Sequence, residues 1–93
     1  MIRNFADTET ECVFSGEGSR KLPPDIQKRA YDKLRLIDAA NFLDDLRSPP
    51  SNRLHALKDD RAGQHSVSIN DQWRICFVWK DGDAHDVEIV DYH

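Results

Sequence analysis

The spacing of apolar residues changes character part-way along the chain. From residue 24 onward Ile26, Ala30, Leu34 and Ile37 recur three and four residues apart, and Leu36, Ala40, Leu43 and Leu46 widen the stripe. That spacing is one face of an α-helix and predicts a helix from about Pro24 to Arg47. Pro23-Pro24-Asp25 opens it, with proline in the first turn and an acid at the positive end of the helix dipole. Ser48-Pro49-Pro50-Ser51 stops it. Lys28, Arg29, Asp32, Lys33 and Arg35 fill the other face, the composition of a solvated surface with favourable pairs at helical spacing. Upstream, Met1-Ile2-Arg3-Asn4-Phe5 alternates and predicts a short edge strand. Asp7 is a good N-cap for a brief helix ending near Gly16 or Gly18, and residues 15–21 form a polar loop.

Downstream of a linking segment the period falls to two. Ser66-Val67-Ser68-Ile69 alternates, Asn70-Asp71-Gln72 supplies a turn, and Trp73 to Trp79 is strongly β-prone. Asp81-Gly82 is a tight hairpin signal, and His85 to Val90 forms the closing strand. The expected order is β-α-α-β-β-β: an α+β fold in a single domain, residues 1–93, with an antiparallel sheet packed by the helices. Alternation puts Trp73, Ile75, Phe77 and Trp79 on the core side of their strand and Arg74, Cys76 and Val78 on the other. A guanidinium in so apolar a strand needs a partner. Either an acid such as Asp86 or Glu88 pairs with Arg74, or Arg74 points into a concave site and holds a phosphate. The hairpin also carries the C-terminal tail back beside Trp73 and Arg74.

Composition narrows the classes of function. A chain of 93 residues with 39% hydrophobic content folds around one modest core. No apolar run reaches membrane-spanning length, and the first twenty residues carry acids where a signal peptide needs apolar ones. Cys12 and Cys76 are in no metal-ligand spacing, and Cys76 between Ile75 and Phe77 reads as a buried, reduced thiol. These features point to a cytoplasmic protein with no membrane partner. A net charge of −4 argues against coating nucleic acid through bulk electrostatics. Residues 53–79 are the exception, with Arg53, Lys58, Arg61 and Arg74 against Asp59, Asp60 and Asp71, plus His55 and His65. Any anion site is therefore local and fits a few phosphates rather than a long duplex.

Two clusters carry candidate chemistry. Chain ends usually fray, yet Asp91-Tyr92-His93 places a carboxylate, a phenol and an imidazole directly after the apolar run Val87-Glu88-Ile89-Val90. In Arg53-Leu54-His55-Ala56-Leu57-Lys58 the leucines look inward, leaving His55 and Lys58 able to share one side of a turn. Imidazoles titrate near neutral pH and can move protons, while Lys58 and Arg74 can balance phosphate charge. There is no structural-zinc pattern, glycine-rich phosphate loop or nucleophilic serine motif.

The segments Arg53-Leu54-His55-Ala56-Leu57-Lys58, Asp60-Arg61-Ala62-Gly63-Gln64, Asn70-Asp71-Gln72-Trp73-Arg74-Ile75 and Glu88-Ile89-Val90-Asp91-Tyr92-His93 closely resemble HigB-type toxins of the RelE-like superfamily. The resemblance spans nearly the whole chain. It implies a RelE-like α+β fold and a toxin that cuts messenger RNA on the translating ribosome without a metal or other cofactor. It also implies neutralisation by a HigA-like helix-turn-helix antitoxin, with operator DNA engaged only through the antitoxin complex. By the same resemblance His55, Lys58, Asp91, Tyr92 and His93 form the active site and Arg74 is a basic site residue. Arg53 and Arg61 are added as contacts to RNA phosphate. Two positions depart from relatives: Asp59 stands where glycine is common, and His65 where several have tryptophan. Asp59 places negative charge beside Lys58, against phosphate binding.

Metal-free RNA cleavage needs a base for the ribose 2′-OH, an acid for the leaving 5′-oxygen, and positive charge at the phosphorus. Asp91 or His93 is the candidate base, His55 the acid, Lys58 and Arg74 the charge stabilisers, and Tyr92 the group that positions the nucleotide. Two rivals belong to other classes. One is a catalytically weak or inactive toxin-like module that binds its antitoxin and takes part in operon autoregulation. The other is a metal-binding protein using His55, His65, Asp91 and His93, whose scattered positions make it the least favoured.

Overall fold

The computed structural model describes residues 1–91. Asp7 caps helix α1 (Thr8–Phe14), its carboxylate accepting from the Thr10 backbone N–H at 2.7 Å. Helix α2 (Pro24–Ala39) starts on its proline as expected but stops well short of Arg47. The reason lies in the spacing of Ile37, Ala40, Leu43 and Leu46. In an α-helix of about 3.6 residues per turn, a strict spacing of three drifts off one face, whereas in a 3₁₀-helix it stays in line. The chain turns extended at Ala40 and rewinds as a 3₁₀-helix over Leu43–Arg47, which returns Leu46 to the core at 2% exposure. Asp45 closes the corner by accepting from the backbone N–H groups of Asn41 and Phe42, both at 3.0 Å. A second 3₁₀ turn, Pro50–Asn52, follows.

The polar face of α2 is not uniformly solvated. Lys28 and Asp32 form the expected exposed i,i+4 pair at 3.4 Å. Lys33, however, is only 8% exposed and reaches Ser51 Oγ (3.4 Å) and Asn52 Oδ1 across the interface with the 3₁₀ turns. Asn52, itself buried, donates to the carbonyls of Leu46 (3.1 Å) and Ser48 (3.3 Å). This polar network ties the post-helix segment to α2.

The sheet is antiparallel in the order β1 (His55–Ala56), β2 (Gln64–Ser68), β3 (Trp73–Lys80), β4 (Asp83–Asp91). Strand β1 falls in the segment read from sequence as a linking turn; two residues are too few for periodicity to register. The expected N-terminal strand is reduced to two isolated parallel bridges, Ile2 with Ala84 and Phe5 with Val87. Between them β4 is bulged: Asp86 and Val87 together oppose Phe77, with Asp86 at φ 53°, so a continuous ladder is interrupted. The bulge has a use. It keeps both Ala84 and Val87 inward, although they stand three residues apart, and Ile89 follows on the same side.

Two turns behave as their residues require. Asp81 and Gly82 both take positive φ (54° and 80°), the type I′ geometry that suits a two-residue hairpin. The Asn70 side chain accepts from the backbone N–H groups of Gln72 (2.8 Å) and Trp73 (2.7 Å), closing the β2–β3 turn. The core lies between the helices and one sheet face. Ala30, Leu34 and Ile37 of α2 meet Ile75, Phe77, Ala84 and Val87 of the sheet, all fully buried. Among the described residues no helix is long and apolar enough to cross a membrane.

Candidate active site

Register and alternation decide which side chains share the sheet face turned away from the helices. On β3 these are Arg74, Cys76 and Val78; their partners on β2 are Ser68, Ser66 and Gln64, and on β4 Val90, Glu88 and His85. His55 pairs with Ser66 and so belongs to the same face. Its middle is small and its margins are long. Ser66 and Cys76 are fully buried beneath the longer side chains around them. Arg74 Nη1 donates to Ser66 Oγ at 3.4 Å, and Arg61 Nη1 donates to both Gln64 Oε1 (3.0 Å) and Glu88 Oε1 (3.2 Å).

These contacts answer one question the sequence left open. Glu88 pairs with Arg61, and Asp86 engages Asn4, whose Nδ2 donates to it at 3.3 Å; neither acid ion-pairs with Arg74. The 3₁₀ turn Asp59–Arg61 follows β1 and folds His55, Lys58, Asp60 and Arg61 around a hollow of about 540 Å³. Asp59 lines it too, with φ 57°, in the left-handed region that favours glycine. The glycine expected there in relatives thus has a backbone reason, and aspartate is among the residues that tolerate it.

Arg53 stands apart from this hollow. It takes φ 48°, lies 3.8 Å from Asp71 and lines a neighbouring cleft with Arg29 and Lys33. Asp91 is opposite Trp73 and so falls, by the same alternation, in phase with Ile89 on the other side of β4 from the Arg74 face. It accepts from Gln72 Nε2 at 3.3 and 3.2 Å at the strand end, and only its backbone is next to the Arg74–Val90 pair. Tyr92 and His93 lie outside the described residues.

The electrostatics of two neighbours are shifted. Burial pushes the Cys76 thiol up, Glu88 adds to this, and Arg61 and Arg74 oppose it; the thiol is protonated and inert at neutral pH, as its place in the sequence predicts. Burial lowers the His65 pKa, with a smaller contribution from the charge of His55. His65 stacks on Phe77 at 6.3 Å between ring centroids, and its Nδ1 is buried with no hydrogen-bond partner among the described residues. Position 65 thus holds an aromatic ring that stays neutral more readily than an ordinary histidine. Among the described residues no cluster of three or more His, Cys, Asp or Glu is placed to hold a metal ion.

The sequence reading offered Glu88 as a partner for Arg74 but passed over Gln64 and Ser66 as members of this face. For Ser66 the polar half of the Ser66-Val67-Ser68-Ile69 alternation was the signal, but it reads equally well as ordinary solvent exposure.

The sequence model of the HigB-like toxins, described as "RelE-like toxin of type II toxin-antitoxin system HigB", matches residues 3–93. The chain belongs to the HigB-like toxins. Among the relatives of this HigB-like toxin, it is 40% identical over 85 residues to Toxin HigB-1 of Vibrio cholerae, covering 90% of each chain. It is 32% identical over 93 residues to Endoribonuclease HigB of Proteus vulgaris, covering 100% of both. A solved chain of the YoeB-YefM complex from Staphylococcus aureus superposes with a TM-score of 0.62 over 100% of this chain and 98% of that one. At 18% sequence identity that likeness speaks for the fold alone, and the fold of this HigB-like toxin is RelE-like.

Proposed function

We propose that this HigB-like toxin is a metal-independent endoribonuclease that cuts messenger RNA on the translating ribosome and so halts translation in the cytoplasm. The observation that carries this reading is the open sheet face, where His55, Arg61 and Arg74 surround a floor of small side chains. A relative matched along its whole length bears the name Endoribonuclease HigB, which supports the same chemistry.

In this mechanism the ribose 2′-oxygen bonds to the adjacent phosphorus as the bond to the 5′-oxygen breaks. Asp91 or His93 takes the 2′-proton, and His55 gives a proton to the leaving 5′-oxygen. Lys58 and Arg74 offset the charge that grows on the phosphorus oxygens, and Tyr92 positions the nucleotide. Arg61, held by Glu88, lines the phosphate path, and Arg53 contacts RNA further along. The acidic chain, with net charge −4, gathers free RNA poorly, and a message already held open by the ribosome removes that difficulty. The partner that silences it is a HigA-like helix-turn-helix antitoxin, through which the pair reaches operator DNA.

Asp59 beside Lys58 favours a slower enzyme than relatives with glycine there, and in the limit a toxin-like module that mainly binds its antitoxin. Brief induction without antitoxin, followed by mapping of new messenger 5′ ends beside a His93→Ala control, separates these. Cuts confined to translated regions and absent from the control are the expected result. Uncut messages despite soluble, folded protein would replace the endoribonuclease with the binding module.

A further inference from the structure

The cleft beside the open face carries a second set of cations. It lies between α2 and the β2–β3 turn, holds about 200 Å³, and is lined by Arg29, Lys33 and Arg53 with Asp71 as the only acid among the described residues. In a chain of net charge −4 this is a marked local excess of positive charge. Lys33 is the unusual member. A buried ammonium is costly unless paired, yet at 8% exposure the Lys33 ammonium donates, among the described residues, to the neutral oxygens of Ser51 and Asn52. No carboxylate pairs with it among the described residues. Burial, with Arg29 nearby, pulls its pKa down against a smaller opposing pull from Asp32, and a bound anion would add to that opposing pull.

The other lining groups suit an oxyanion. Arg29 spends one N–H on the Ile69 carbonyl at 3.3 Å, leaving further donors on its guanidinium. Arg53 is 63% exposed, and Asp71, its 3.8 Å neighbour, is a fully exposed side chain whose pairing is worth little in water. The cleft also adjoins the candidate active site. Arg53 precedes His55 by two residues, and Ser68, on the cleft wall, is the register partner of Arg74.

We propose that the cleft of Arg29, Lys33 and Arg53 binds a phosphodiester of single-stranded RNA next to the one that is cut. The ligand's identity as RNA rests on the endoribonuclease reading above. A messenger strand crossing the open face would leave one phosphate among His55, Lys58 and Arg74 and lay a neighbouring one in the cleft.

The test is an NMR titration of the ¹⁵N-labelled full chain at low salt, first with inorganic phosphate and then with a 2′-O-methyl tetranucleotide that cannot be cut. Backbone signals of Ser51 and Asn70 are expected to move with both. In an Arg29→Gln/Arg53→Gln double variant, which leaves the buried Lys33 network intact, the tetranucleotide is expected to bind about fivefold or more weakly. Its salt slope should shrink by about 0.7 for each phosphate that is no longer neutralised. Unmoved Ser51 and Asn70 signals, or a folded double variant with wild-type affinity and slope, would overturn the proposal.

The phosphodiester has two possible sources, and ribosomes stalled on an uncleavable 4-thiouridine message distinguish them. Loss of message crosslinking in the double variant assigns the cleft to messenger RNA. Unchanged crosslinking with weakened ribosome co-sedimentation would assign the cleft to ribosomal RNA and overturn its place next to the cut phosphate. Because the titrated RNA cannot be cut, failure of the wild-type chain to cleave messages would count against the endoribonuclease reading alone.

Discussion

The two faces of one sheet obey different rules. The helix-facing side is closed and uniform: Val67, Ile75, Phe77, Ala84 and Val87 are at most 1% exposed and meet the stripe of α2. The other side has a floor of equally buried residues, Ser66 and Cys76, but covers it with His55, Arg61, Arg74 and Glu88 instead of a helix. Close packing drives stability, whereas a half-covered floor ringed by titratable and cationic groups does little for stability and leaves room for a substrate. The two tasks are therefore separable. Substitution on one face should unfold the protein, and substitution on the other should silence it while it stays folded.

The largest effect belongs to the closed face. Phe77→Ala removes a fully buried ring at the bulge and is expected to cost about 3–5 kcal/mol, read as a fall in the urea midpoint. Against a total stability of about 5–15 kcal/mol for a domain of ordinary stability, activity would then fall through unfolding. A Phe77→Ala protein with a wild-type midpoint would break the division of labour.

A gain is expected at the edge of the open face. Asp59→Gly removes a negative charge beside Lys58 and relieves a left-handed aspartate, so cleavage should rise about two- to fivefold while stability changes by less than about 1 kcal/mol. Cleavage of a reporter message on programmed ribosomes measures the first, and urea unfolding the second. A slower Asp59→Gly enzyme would mean the carboxylate helps the reaction.

The smallest effect concerns pH. The His65 pKa is lower folded than its ordinary 6.5, so on acidification through that value the unfolded chain takes up a proton before the native state does. Stability should fall with pH in that window until the native His65 also protonates. A His65→Phe variant keeps a ring against Phe77 without the titration, and its Tm should drop less between pH 7.5 and pH 5.5. Parallel Tm profiles for the two proteins would remove His65 from the account.

Much of this arrangement was legible in the residues. The stripe of α2, the Asp81-Gly82 hairpin and the alternation of β3 all act locally, and each element formed where its pattern lies. The hairpin also made the return of the tail beside Trp73 a matter of counting, and Asp91 pairs with Trp73. What escaped depends on tertiary contact. The end of α2 hung on a switch from α to 3₁₀ spacing that looks continuous as a hydrophobic pattern. Lys33 read as solvent-facing because nothing local announces that Pro50–Asn52 will fold over it. The Arg61–Glu88 pair joins residues 27 apart in sequence, beyond any periodicity argument. At the site, the spacing grouped His55 with Lys58, whereas the place of Arg61 in the same hollow and of Arg53 in a separate cleft depends on the tertiary fold.

The most direct test of the central claim is a single-turnover cleavage assay on message-programmed ribosomes, comparing wild type with His55→Ala. The imidazole lies on the exposed edge strand β1 and supports no core packing, so the variant should keep its Tm. Its cleavage rate should fall by about 100-fold or more, the usual weight of a general acid. A folded His55→Ala protein cutting at the wild-type rate would contradict the assignment of catalysis to the open face of the sheet.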